Sequence, residues 1–185
     1  MIITDFLERN AREFPNDIAL VEINPEIKED RRVTWKEFEL IEPNPKTSYR
    51  REITWGVFNE KANRFANLLL QRGVKKGDKV AILMMNGLEW LPIYFGILKT
   101  GALAVPLNFR YSADEIEYCV NLAEVDILVF SDAFIGRVEE IADRISKGRL
   151  LIYVGEGCPG FADDYNSLSA NCSSQSPMIA LTDED

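Results

Sequence analysis

Few side chains in this 185-residue chain could do chemistry, and Arg110 is the first of them. It closes the run Pro106-Leu107-Asn108-Phe109-Arg110, between an apolar stretch of strand character and a helix start at Ser112-x-x-Glu115. In open α/β sheets that edge is where ligands bind, and a guanidinium forks onto a phosphate. The bland alternative is a surface arginine paired with a carboxylate such as Asp114. Asn86 follows another apolar run, where an asparagine normally caps the next helix through its side chain. Trp90, Tyr94 and Phe95 fall at helical spacing and read as helix core rather than a cofactor box.

Other motifs carry less. Gly155-Glu156-Gly157-Cys158-Pro159-Gly160 matches the spacing of a dinucleotide fingerprint and follows a strand. Such a site needs its third glycine at a helix start that aims N–H groups at a pyrophosphate. Pro159 and the polar segment behind it predict a plain glycine loop instead. Glu139-Glu140 and Asp163-Asp164 are adjacent carboxylates that point in different directions and read as solvated charge. Asn171-Cys172-Ser173 has the form of a glycosylation sequon and is read as accidental. There is no histidine, so Ser-His-Asp and Cys-His catalysis are excluded within these residues. Cys119, Cys158 and Cys172 are odd in number and far apart, which predicts reduced thiols. No residue is assigned a catalytic or metal-ligating role.

A net charge of −9 without a basic cluster argues against a nucleic-acid partner and against an anionic membrane. No apolar run approaches the roughly 18 residues of a transmembrane helix. The first residues lack the basic start and apolar core of a signal peptide, so a cytoplasmic location is expected.

The elements that must position these residues follow from periodicity. Positions 3, 6, 7, 11 and 14 are apolar at helical spacing, with Thr4 or Asp5 as cap and Pro15 as stop. Ile18 to Ile23 reads as a strand. A tandem duplication then occupies about residues 21–60. Glu22-x-Asn24-Pro25 recurs at 42–45, and Arg31-x-Val33-Thr34-Trp35-x-x-Phe38 recurs at 51–58. It reads as a lengthened surface hairpin, with one helical turn expected from Thr34-x-x-Glu37.

Thr54 caps a helix ended by Gly73. Strands are predicted at 79–84, 102–107, 126–130 and 150–154, with helices at 89–100, 112–123 and 133–146 between them. That alternation means right-handed βαβ units, hence an α/β fold with a mostly parallel sheet and flanking helices. From Glu156 to Asp185 there are six acidic residues and no lysine or arginine. Residues 1–155 therefore read as an α/β subdomain and 156–185 as a loose, Ser/Asn-rich connector.

One ordered series adds a resemblance. It comprises Thr54-Trp55, Asn63-Arg64-Phe65-Ala66-Asn67-Leu68-Leu69, and Arg72-Gly73-Val74-Lys75-Lys76-Gly77-Asp78-Lys79-Val80-Ala81-Ile82. Asn86-Gly87-Leu88-Glu89-Trp90, Leu98-Lys99-Thr100-Gly101-Ala102, Val105-Pro106-Leu107-Asn108 and Ser112-Ala113-Asp114-Glu115-Ile116 continue it. Together these resemble the opening of an adenylate-forming acyl-CoA synthetase, specifically its first α/β subdomain.

The resemblance implies a carboxylic acid, ATP, Mg2+ and CoA as substrates and cofactor, and it implies that Arg110 approaches a nucleotide phosphate of CoA. The family's Ser/Thr/Gly-rich phosphate loop ending in Pro-Lys has no counterpart in this sequence. The chain is therefore expected to stop ahead of the adenylation site, to be inactive alone, and to self-associate through the face the rest would cover. A stand-alone α/β binding module and an independent flavodoxin-like nucleotide enzyme are the rival readings.

Overall fold

The computed structural model describes residues 2–23, 33–34, 37–38, 50–145 and 148–182. Five parallel strands form the central sheet: β5 (Lys79–Leu83), β6 (Leu103–Pro106), β7 (Ile127–Ser131), β8 (Leu150–Val154) and β9 (Asp163–Asp164). Their order is β6-β5-β7-β8-β9. The chain starts at β5, steps to one side, then crosses back to the other, which is the doubly wound flavodoxin-like order. All carboxyl ends of the strands therefore lie along one edge.

The strands are apolar on both faces because both are covered. Val80, Ile82, Ile127, Val129, Ile152 and Val154 face α2 (Trp55–Gln71), α3 (Trp90–Leu98) and α6 (Tyr165–Ala170). Ala81, Leu83, Leu128, Phe130, Leu151 and Tyr153 face α4 (Ala113–Leu122) and α5 (Ile135–Ile145). A 3-10 turn, Asp132–Phe134, leads into α5.

Local signals explain the helix ends. The Thr54 hydroxyl accepts from the Val57 N–H at 3.3 Å, and Gly73 takes φ +86° just past the end of α2. Ser112 and Glu115 cap each other at the start of α4. Gly96 lets α3 approach α2 closely: a Cβ there would lie 2.9 Å from the Ala62 carbonyl and from the Phe65 ring.

α1 (Ile3–Glu13) packs on α2 through Leu7, Phe58 and Ala62. Neither Thr4 nor Asp5 acts as the expected N-cap. Ile2 holds that position, and the Asp5 carboxylate accepts from its N–H at 3.2 Å. β1 (Ile18–Ile23) stays outside the main sheet and pairs antiparallel with β4 (Arg50–Thr54).

Most of the duplicated segment lies outside the described residues. Its first copy forms an antiparallel pair rather than a helical turn: β2 (Val33–Thr34) lies against β3 (Glu37–Phe38), with Thr34 opposite Glu37. Residues 156–182 are not a loose tail. β9 extends the sheet, α6 buries Tyr165, and Cys172 lies against the α2/α3 core.

Candidate functional site

Arg110 stands beyond the carboxyl end of β6, in the connection to α4. Its N–H donates to the Asn108 side-chain oxygen at 3.0 Å, a turn that accounts for the asparagine two residues earlier. Its guanidinium lies over the Phe109 ring at 5.4 Å and is exposed. The expected carboxylate partner does not take it: Asp114 pairs with Arg144 of α5 at 3.2 Å. Among the described residues Arg110 has no carboxylate partner, which leaves its fork free for an anion.

Arg137 builds the connection that carries Arg110. Arg137 lies in the first turn of α5, and its Nη1 donates to the carbonyls of Phe109 at 2.7 Å and Tyr111 at 2.9 Å. These bonds tie the segment after β6 to the helix after β7, the strands on either side of β5. The sequence held no signal for this, since the partners are main-chain atoms 26 and 28 residues away.

The turn between β5 and α3 carries Asn86 and Glu89. Asn86 is exposed and does not cap the helix; Glu89 occupies the N-cap position and makes no capping hydrogen bond. Instead Glu89 pairs with Lys61 of α2 at 2.5 Å and lies beside the Tyr165 hydroxyl. Burial, with the Glu89 charge beside it, pushes the Tyr165 hydroxyl far above its ordinary range. Tyr165 is thus a neutral structural group. The turn is held further by Glu22 of β1, which accepts from the Leu88 N–H at 2.9 Å and pairs with Arg51 at 2.5 Å. Partial burial opposes ionisation of Glu22, but these donors outweigh it and its pKa falls below the ordinary value.

The aromatic set is helix packing. Trp90 stacks on Tyr94 at 5.3 Å, and Phe95 meets Phe58 edge-on at 5.3 Å. The glycine loop has no helix at its third glycine. The Tyr153 hydroxyl donates to the Glu156 carbonyl at 2.8 Å, and a Cβ at Gly155 would lie 2.5 Å from that hydroxyl oxygen. The loop is therefore filled by the protein's own tyrosine. Asp163 and Asp164 have structural work: Asp163 lies 3.9 Å from Arg72, and Asp164 caps α6 by accepting from the Ser167 N–H at 2.8 Å. The three cysteines are unpaired, and no described helix is long and apolar enough to cross a membrane.

Similar proteins agree with this architecture. A family model described as AMP-binding enzyme matches residues 43–179. A medium/long-chain-fatty-acid–CoA/3-oxocholest-4-en-26-oate–CoA ligase of Mycolicibacterium smegmatis is 36% identical over 110 residues, covering 60% of this chain and 19% of that protein. A crotonobetaine/carnitine–CoA ligase of Salmonella paratyphi B is 36% identical over 107 residues, covering 57% and 20%. The chain thus spans about a fifth of the length of these relatives.

Among solved structures, an anthranilate CoA ligase in complex with anthranoyl-AMP superimposes with a TM-score of 0.74 at 25% identity, covering 93% of this chain and 28% of that one. A putative long-chain-fatty-acid CoA ligase of Rhodopseudomonas palustris shares the fold at TM-score 0.73 and 22% identity, covering 97% of this chain and 39% of that one. With residues 43–179 of its 185 matched by one model, and with this sheet order beneath them, the chain belongs to the AMP-binding enzyme family.

Proposed function

We propose that these residues are the N-terminal α/β part of an ATP-dependent acid–CoA ligase. In that reaction a carboxylate attacks the α-phosphate of ATP, releasing pyrophosphate and leaving an acyl-adenylate. The CoA thiol then attacks the acyl carbon, and AMP departs. Residues 1–155 supply the scaffold and one wall of the cleft; residues 156–185 lead on towards the adenylation core. The setting of such an enzyme is the cytoplasm.

One observation carries this reading within a chain of this family. The Arg110 guanidinium is exposed and, among the described residues, free of carboxylates, and Arg137 holds the main chain on either side of it at the edge where α/β sheets take ligands. Arg110 would pair with a nucleotide phosphate of CoA. ATP and Mg2+ find no comparable fit here. No Ser/Thr/Gly-rich run ending in Pro-Lys exists in the sequence, and the one glycine loop is filled by Tyr153. On this reading the acyl-adenylation step takes no phosphate-binding loop from this segment.

A stand-alone binding module is the second reading, and it would present a closed polar surface. The outward face of β1 favours the first reading, because Ile18, Val21 and Ile23 are 51%, 44% and 44% exposed. The test is ATP–pyrophosphate exchange by these 185 residues across aliphatic and aryl acids. Background exchange is expected; exchange above background, in protein free of host ligase, contradicts the proposal.

A further inference from the structure

The motif Asn63-Arg64-Phe65-Ala66-Asn67 has its apolar members in the core, but its polar members have no part in the site described above. All three point at one segment of main chain. Asn63 Nδ2 donates to the Ser174 carbonyl at 2.9 Å. Arg64 Nη1 donates to the carbonyls of Ala170 at 3.1 Å and Cys172 at 2.7 Å. Asn67 Nδ2 donates to the carbonyls of Ser173 at 2.8 Å and Gln175 at 2.9 Å. Three side chains thus make five hydrogen bonds to the carbonyls of a strap that has no regular ladder of its own.

We infer that α2 clamps residues 170–176 by their main chain through Asn63, Arg64 and Asn67, so that α2 directs the path of the chain into 177–182. The strap's own side chains contribute little between 173 and 175. Ser173 and Gln175 are exposed, and their one mutual contact is local, from the Gln175 N–H to the Ser173 Oγ at 3.1 Å. Its two ends are fixed differently. Cys172 is buried against the α2/α3 core, and the Ser176 hydroxyl donates to Glu8 at 2.5 Å.

The spacing explains the motif. Residues 63 and 67 share one stripe of a helix, and residue 64 lies beside it. Asparagine and arginine are the side chains that can offer several N–H groups to carbonyls at fixed geometry. Recognition of main chain alone leaves the strap free to vary in sequence while α2 is not. The use of the clamp in catalysis rests on the ligase reading: whatever follows residue 182 would start from a fixed point, making these three positioning residues. The clamp itself does not depend on that reading.

Cys172 supplies the probe, because its thiol is buried beneath the strap and donates to the Leu168 carbonyl at 3.3 Å. Iodoacetamide alkylation, resolved by site, is measured without ATP or CoA in the folded protein. Asn67→Asp keeps the shape but turns a carboxylate oxygen towards two carbonyls. It is expected to speed alkylation of Cys172 about tenfold or more, with Cys119 and Cys158 unchanged. Asn67→Ala gives the same comparison if Asn67→Asp does not fold. Ser173→Ala and Gln175→Ala are expected to leave the rate as in the wild type. An unchanged Cys172 rate in the Asn67 variants, an equal acceleration of all three thiols, or an equal effect of the strap substitutions would overturn the clamp. None of these outcomes bears on pyrophosphate exchange, so the clamp and the ligase reading fail separately.

Discussion

The Lys99 ammonium lies 2.6 Å from the Glu8 carboxylate, joining the end of α3 to α1 across 91 residues of sequence. Lys99 is only 3% exposed, whereas the Glu8 side chain is 41% exposed. Burial draws the Lys99 pKa below its ordinary value, and Glu8 only partly restores it. Partial burial opposes ionisation of Glu8, but hydrogen bonds from Lys99 and Ser176 outweigh it and hold the carboxyl below 4.5.

Because the folded pKa of Glu8 is depressed, its contribution is full above the unfolded value and is lost as pH falls through the folded one. Glu8→Gln should cost about 1–3 kcal/mol at pH 7, less than for a fully buried pair because water reaches Glu8. The loss should narrow below pH 4.5, where the wild type gives up the same charge. Urea unfolding at several pH values checks this. Adding Lys99→Met should recover stability by removing the uncompensated ammonium. A cost independent of pH would show that Glu8 acts by packing alone.

Gly96→Ala should destabilise by about 1–3 kcal/mol through overpacking, because the new methyl meets the Ala62 carbonyl and the Phe65 ring. Gly136 in α5 is the control. Nothing lies within 4 Å of a Cβ there, so Gly136→Ala should gain about 0.5–1 kcal/mol from helix propensity. Equal effects at both sites in thermal unfolding would contradict the close α2–α3 approach.

The exposed apolar row on β1 should make the protein self-associate. Sedimentation velocity over a concentration series should show association, and Val21→Lys should reduce it. A strictly monomeric wild type would favour the stand-alone module.

The βαβ alternation was legible because it is local: apolar runs of strand length alternate with helical periodicity, and Thr54, Gly73 and Ser112 mark helix ends. The position of Arg110 between β6 and α4 was legible for the same reason, because it sits between a strand pattern and a capping box. What escaped depends on partners distant in sequence. Lys99 reads as the polar end of an apolar helix until Glu8 is placed against it. Residues 170–176 read as loose because their hydrogen-bond donors belong to α2, more than 100 residues earlier. Asn86 has the composition of a cap, but α3 begins at Trp90, beyond its reach.

The most direct test of the account places Arg110→Ala in a protein where these residues are followed by an adenylation core, and measures the two half-reactions separately. Losing a contact with a charged phosphate costs about 1.5–3 kcal/mol, roughly 10- to 150-fold. CoA enters only in the second half-reaction. The account predicts that CoA-dependent thioester formation falls, or the KM for CoA rises, by that factor, while pyrophosphate exchange stays near wild type. An equal fall in both half-reactions, or no change in either, would contradict it.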